Sequence, residues 1–417
     1  MPETPVDAQS LAVMSLDWLM SSAQQGESGL LWKAVPSNAE PDDTLYSGSA
    51  GIVLALLEGY HHFGDERYAI AAARGASTIA RTMGHWDDSS LYFGLSGMAV
   101  ALHAVHEQLG EQLAGDAVKI AAKQIRARFD GERWSGEFEL LAGNAGIALG
   151  ALSVGDLELA LLAVTPYLRT AERTAHGVQW EDRAGESSRL HHISHGTLGI
   201  VSSLAAVGGA CGQPELTALA LAGAADVVAR NESDATGFLV PHSDPQYRPD
   251  RVERFSYGWC HGPAGDAQVF RQLAKVTGDI GWSSLADRCW DTIIGSGLPQ
   301  QLRPGFWDNS GRCCGTAGVL ALACDRFVEH DQDMDFARVL VDDLASRATI
   351  DADGARWSNV EHRATPSMLE PETGWASGNA GIVRELLRFA RIVAGQDPAY
   401  STAWPDQPSA VRPRRQV

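Results

Sequence analysis

Eighteen consecutive apolar residues occur nowhere in this 417-residue sequence, although 45% of it is hydrophobic, so no transmembrane helix is expected. The opening MPETPVDAQS lacks both a basic start and an apolar stretch and does not read as a secretory signal. Cysteine is sparse: six residues, two of them adjacent. That is no disulfide framework. It suits a reducing cytosol and metal chemistry better than bridges, and a cytoplasmic location is expected. Basic residues are few relative to acidic ones, 33 Lys and Arg against 52 Asp and Glu, for a net charge of −19. This balance argues against nucleic acid and anionic membranes as partners, and its plain reading is a solvated acidic surface.

Glycine is plentiful and ordered. A Gly-x-x-Gly motif followed by an aliphatic run recurs seven times, beginning at Gly48, Gly94, Gly143, Gly196, Gly262, Gly315 and Gly378, with intervals of 46, 49, 53, 66, 53 and 63 residues. One such motif is weak; seven at quasi-regular spacing define a repeat. After each glycine pair comes a run rich in Ala, Leu, Val and Ile, the mark of a helix buried nearly all round. A polar break follows, then an amphipathic helix. In Gly115–Phe129, for instance, Val118, Ala121, Ala122, Ile125 and Phe129 share one face. A short extended piece with an aromatic residue precedes the next pair, at Trp32, Trp86, Trp134, Trp180, Trp307 and Trp357.

Inner helix, outer helix and loop, seven times over, predict an all-α fold: an α/α toroid of seven inner and seven outer helices. Residues 1–417 are expected to form one domain, with mobile tails at about 1–8 and 398–417. The glycines allow sharp turns and close backbone approach at the inner-helix starts. Those starts gather at one end of the ring, and the residues just before each pair line its mouth.

The repeats act as an internal control on the mouth. The position before each first glycine holds Ser47, Phe93, Ala142, His195, His261, Cys314 and Ser377; the position before that holds Tyr46, Tyr92, Leu141, Ser194, Cys260, Cys313 and Ala376. Only the fourth, fifth and sixth units carry Cys or His there, so the fold does not require them. Three thiols and one or two imidazoles converging on one mouth suggest Zn²⁺, and three protein ligands with an open fourth position make a catalytic site. Cys211, Cys289 and Cys324 read as structural, and His191 and His192, in a polar loop, as solvated.

The segments SHGTLG (Ser194–Gly199), WCHGPAG (Trp259–Gly265) and CCG (Cys313–Gly315), set among the glycine repeats, resemble the lanthionine synthetase C-like proteins, cyclases of lanthipeptide biosynthesis. The resemblance implies an α/α toroid with one zinc ion that adds peptide cysteine thiols to dehydroalanine or dehydrobutyrine, closing thioether rings. It implies Cys260, Cys313 and Cys314 as zinc ligands, His195 as acid/base with His261 as second choice, and Glu139 as the carboxylate that orients His195. The family often has Arg where Ser256 stands, and Arg254 is the candidate to substitute for it. The implied partner is a dehydrated precursor peptide, leader plus core, made by a separate dehydratase.

Other readings stay open. A protein prenyltransferase subunit needs a carboxylate two residues before the zinc cysteine, where Gly258 stands. A zinc hydrolase fits poorly, since three thiolates make a poor Lewis acid. A non-catalytic peptide-binding scaffold, or an enzyme adding a small thiol such as glutathione to dehydro residues, fits the same motifs.

Overall fold

The computed structural model of the chain describes residues 7–300, 309–330, 332–361 and 364–407. Among these, fifteen helices follow one another: α1 (Ala8–Ser21), α2 (Ser49–Phe63), α3 (Glu66–Thr82), α4 (Leu95–Leu109), α5 (Gln112–Ala127), α6 (Asn144–Ser153), α7 (Leu157–Val164), α8 (Tyr167–Thr170), α9 (Thr197–Cys211), α10 (Pro214–Val228), α11 (Pro263–Thr277), α12 (Ile280–Gly295), α13 (Thr316–His330), α14 (Asp335–Arg347) and α15 (Asn379–Val393). The seven that start at a glycine pair (α2, α4, α6, α9, α11, α13 and α15) are the inner helices, buried on most of their surface. Six pack against the helix that follows; α7 and α8 share one such place, interrupted at Pro166, which cannot continue α7.

The seventh outer position is filled from the other end of the chain. α1, whose Leu11, Ala12, Leu16 and Leu19 are fully buried, packs on α15, where Asn379 donates to Ser15 Oγ at 2.8 Å, and so closes the ring. The fold is the expected α/α toroid of seven inner and seven outer helices. Four small antiparallel hairpins or strand pairs decorate it. Trp32, Trp134, Trp180 and Trp357 each donate their indole N–H to a carbonyl near the end of the preceding outer helix, at Leu19, Ile125, Tyr167 and Leu344. These bonds fix where the chain turns back toward the mouth. Trp307 lies outside the described residues.

The mouth is closed by a circle of backbone hydrogen bonds. Tyr46 N–H donates to Tyr92 C=O, Tyr92 to Leu141, Leu141 to Ser194, Ser194 to Cys260, Cys260 to Cys313, Cys313 to Ala376, and Ala376 back to Tyr46, at 2.8–3.3 Å. The donors and acceptors are the residues two places before each first glycine. The second glycine of each pair makes this approach possible. A Cβ at Gly146 would lie 2.0 Å from the Leu140 carbonyl oxygen and 2.7 Å from Leu91 Cβ in the preceding unit. At Gly51 the unit in the way is the last one, with Trp375 Cβ at 3.1 Å.

Residues 398–407 are not the tail expected from their composition. They fold back into the ring from the end opposite the mouth. Trp404 stacks on Trp375 at 4.6 Å and donates its indole N–H to Tyr92 Oη at 2.9 Å, and Tyr92 donates to Asp406 at 3.1 Å. Arg384, Arg388 and Arg391, along α15, hold the backbone carbonyls of Thr402, Pro398 and Ala399. A chain segment with few apolar residues is drawn inside because the interior face of α15 carries cations that need acceptors. Residues 1–6 and 408–417 lie outside the described residues.

Candidate metal centre

Cys260 and Cys313 are adjacent members of the backbone circle, which places residues 53 positions apart in sequence on neighbouring strands of one rim. Cys314 follows in the same turn, packed over Gly258, where an added Cβ would stand 3.2 Å from Cys314 Cα. The three sulfur atoms lie within 4.8 Å of one another. Cys260 Sγ is 3.0 Å from Cys314 Sγ, which is 3.4 Å from Cys313 Sγ. Cys260 and Cys313 are buried, and Cys314 is exposed at the mouth.

The electrostatics are those of three thiols sharing one negative charge. Hydrogen bonds from Cys260 and Cys314 hold the Cys313 thiol well below its usual value, and the same contacts push Cys260 up. Tyr46 Oη stands 3.4 Å from Cys313 Sγ, and that charge, with burial, raises the phenol well above its usual range. Burial and then Cys313 raise the Glu372 carboxyl as well. Three thiols converging at this distance could hold a metal ion. For a Zn–S bond of about 2.3 Å, tetrahedral sulfurs sit about 3.8 Å apart, close to the spacing present, and the soft donor set suits zinc.

His195 lies beside this group, 23% exposed, with Nδ1 3.3 Å from Glu139 Oε2. Glu139 is fully buried and accepts the backbone N–H groups of Leu141 and Ala142 at 2.7 and 3.0 Å, so its carboxylate is fixed and the Nε2 side of His195 is left free. Ser90 Oγ and Thr44 Oγ1 accept equivalent N–H groups in the first two units; Glu139 does that work and faces a histidine as well. His261 stacks on His195 at 5.5 Å and 24°. Burial, followed by the nearby His242, pushes His261 well below the usual histidine range.

The structure thus brings Cys260, Cys313, Cys314, His195, His261 and Glu139 together. It does not bring Arg254: that guanidinium is paired with Glu232, 57% exposed, and stacked over Phe255. Arg183, bonded to Glu137 at 3.0 Å, is instead the arginine whose charge acts on His242 and His261. Nor are His191 and His192 solvated; both are buried, His191 on the Pro241 carbonyl at 2.7 Å and His192 on Asp266. Burial lowers His191 to about 4 and His242 to about 3, so both are neutral near pH 7. Arg183 and His242 reach the site through turns and a long loop, and no spacing in the sequence points to them; Tyr46 stands at a rim position that the repeats identify, but nothing in its residue type marked it as part of the site.

Comparison with known proteins places the chain. The model of the family described as "Lanthionine synthetase C-like protein" matches residues 40–251 and 246–341, and the chain belongs to that family. None of the curated proteins matches significantly. Among solved structures, nisin cyclase superimposes with a TM-score of 0.66 at 15% identity, over 88% of this chain and 91% of that one. Unsaturated glucuronyl hydrolase of Bacillus sp. GL1 gives 0.52 at 15% identity over 93% and 97%, and a heparin-specific unsaturated glucuronyl hydrolase 0.51 at 12% over 93% and 98%. At these identities the likeness is one of fold, a helical ring that hosts several chemistries.

Proposed function

We propose that this lanthionine synthetase C-like protein is a zinc-dependent cyclase that adds cysteine thiols of a dehydrated precursor peptide to dehydroalanine or dehydrobutyrine, forming lanthionine or methyllanthionine rings. The observation that carries the reading is the convergence of Cys260, Cys313 and Cys314, with Cys314 open to the mouth, at rim positions where four of the seven units hold neither Cys nor His. Zinc bound there supplies the charge that keeps an incoming peptide thiol ionised at neutral pH, where a free thiol with a pKa near 8.5 is a few per cent thiolate.

The protein's own residues handle the protons. As the peptide sulfur bonds to the β-carbon, the alkene electron pair moves to the α-carbon and onto its carbonyl, and the α-carbon must take up a proton. The thiol proton leaves and an equivalent proton arrives, so the product has the mass of the substrate. His195 is the donor we assign. Glu139 faces its Nδ1 and supports the charged imidazolium, and Nε2 is free for the peptide. His261 serves less well as a proton donor, because burial and His242 keep it neutral.

The test is metal analysis of wild type and Cys260→Ala, followed by incubation with a dehydrated, cysteine-containing peptide. Wild type is expected to hold about one zinc per chain and to consume free thiol without change of peptide mass; Cys260→Ala is expected to lose both properties. Full zinc occupancy with unconsumed thiol would favour a peptide-binding scaffold. Mass gain from added glutathione would favour small-thiol addition. The reading requires a Ser/Thr dehydration step to supply the substrate peptide.

A further inference from the structure

Two substitutions, one in each of two neighbouring units, meet behind the rim. Four residues after the first glycine the seven units hold Ile52, Met98, Ile147, Ile200, Asp266, Val319 and Ile382, all fully buried. Six are apolar and one is a carboxylate. Four residues before the first glycine they hold Thr44, Ser90, Glu139, His192, Gly258, Gly311 and Gly374, and only the fourth unit has an imidazole. These two exceptions are partners: His192 Nδ1 lies 3.0 and 2.9 Å from the two Asp266 oxygens, with the side chains 1% and 0% exposed.

The fold does not ask for this pair. Six other units close the same layer with Ile, Met or Val, and a buried hydrogen-bonded pair is commonly no more stable than apolar residues of similar volume in place of both partners. Its position supplies a different reason. With Nδ1 committed to Asp266, His192 keeps a buried Nε2 that has no protein partner. Its ring stands 6.2 Å from that of His261 at 75°, edge to face. His261 is the residue after Cys260, and it also touches Ser194 Oγ, 3.5 Å from its Nδ1, while Ser194 Oγ donates to the Cys260 carbonyl at 2.8 Å.

We infer that His192 and Asp266 form a positioning pair that sets the orientation of the His261 imidazole beside the sulfur cluster, and through it the productive pose of the substrate at the mouth. Asp266 holds the plane of His192; His192 presents its edge to His261; His261 forms one wall against His195. The inference rests on the cyclase reading for its effect on rate, and on geometry alone for its effect on His261.

The experiment restores the pattern of the other units with the double variant His192→Ser/Asp266→Ile, beside the near-isosteric Asp266→Asn. Zinc content, thermal midpoint, kcat and KM for ring closure, and long-range ¹H–¹⁵N spectra of the histidines are measured on the full chain. The double variant is expected to keep its zinc and its thermal midpoint while kcat falls about 10-fold or more at unchanged KM. In Asp266→Asn the His261 resonances are expected to move along with those of His192. Wild-type kcat in the double variant overturns the inference. If the double variant does not fold, Asp266→Asn decides it alone: unmoved His261 resonances overturn the pair's role. If wild type consumes no thiol at all, the cyclase reading falls by itself, and the same histidine spectra still decide the positioning role.

Discussion

A hydroxyl 3.4 Å from a thiolate is worth more than one beside a thiol, and Tyr46 occupies that place next to Cys313. Tyr46→Phe removes the O–H donor and little volume. In metal-free protein the Cys313 thiol is expected to titrate higher, since the tyrosine hydrogen bond helps to hold it down, with Cys260 and Cys314 remaining as the larger donors. Thiolate absorbance followed against pH measures this, and an unchanged titration would show that Tyr46 is only a wall. Residue identity made part of this site legible. Cys260, Cys313 and Cys314 stood out because equivalent rim positions elsewhere hold Tyr, Leu or Ala, and His195 because Ala142 and Phe93 do. Tyr46 escaped notice for the same reason, as one ordinary rim aromatic beside Tyr92. Arg254 was misplaced because a long loop carries no periodicity from which to read a direction.

The segment 397–407 shows what an element can hide. Its sequence, with Pro, Asp, Ser and Thr, carries the composition of a tail, and its burial depends on acceptors for the arginines of α15, which no local pattern reveals. At its tip Asp406 is enclosed, and burial raises its carboxyl to about 6 against opposition from Arg312 and the Tyr92 hydroxyl. The unfolded chain ionises near 3.8, so between about pH 4 and 6 the unfolded state loses its proton first and stability falls as pH rises. Above about 6 both states are ionised and the cost is constant. Two units of difference correspond to about 3 kcal/mol. Asp406→Asn, which can still accept from Tyr92, is therefore expected to raise the thermal midpoint at pH 8 and to leave it nearly unchanged at pH 4. Parallel melting curves for the two proteins across that range check it, and an equal shift at both values would contradict it.

For the whole molecule, seven glycine pairs made the ring readable before any contact was known, because close packing at each inner-helix start leaves no room for a Cβ. What the repeats did not reveal is how the ring shuts. The pattern counts each inner helix with the one after it, and among the described residues no helix follows α15; its partner is α1, more than 350 residues away. The three fully buried leucines of α1, Leu11, Leu16 and Leu19, at about 1.5–3 kcal/mol each, are comparable with the whole net stability of an ordinary protein, about 5–15 kcal/mol. Deleting residues 1–22 is expected to abolish cooperative unfolding, as followed by circular dichroism on heating. A cooperative transition in the shortened chain would mean that six closed units suffice.

The rim circle has one more effect, on the field above it. Peptide dipoles that follow one another head to tail around a loop add as vectors to nearly nothing, unlike those stacked along a helix. The circle therefore adds little potential of its own at the rim centre. The backbone field met there by an approaching peptide is that of the seven inner-helix N-termini, whose partial positive charges gather behind the rim.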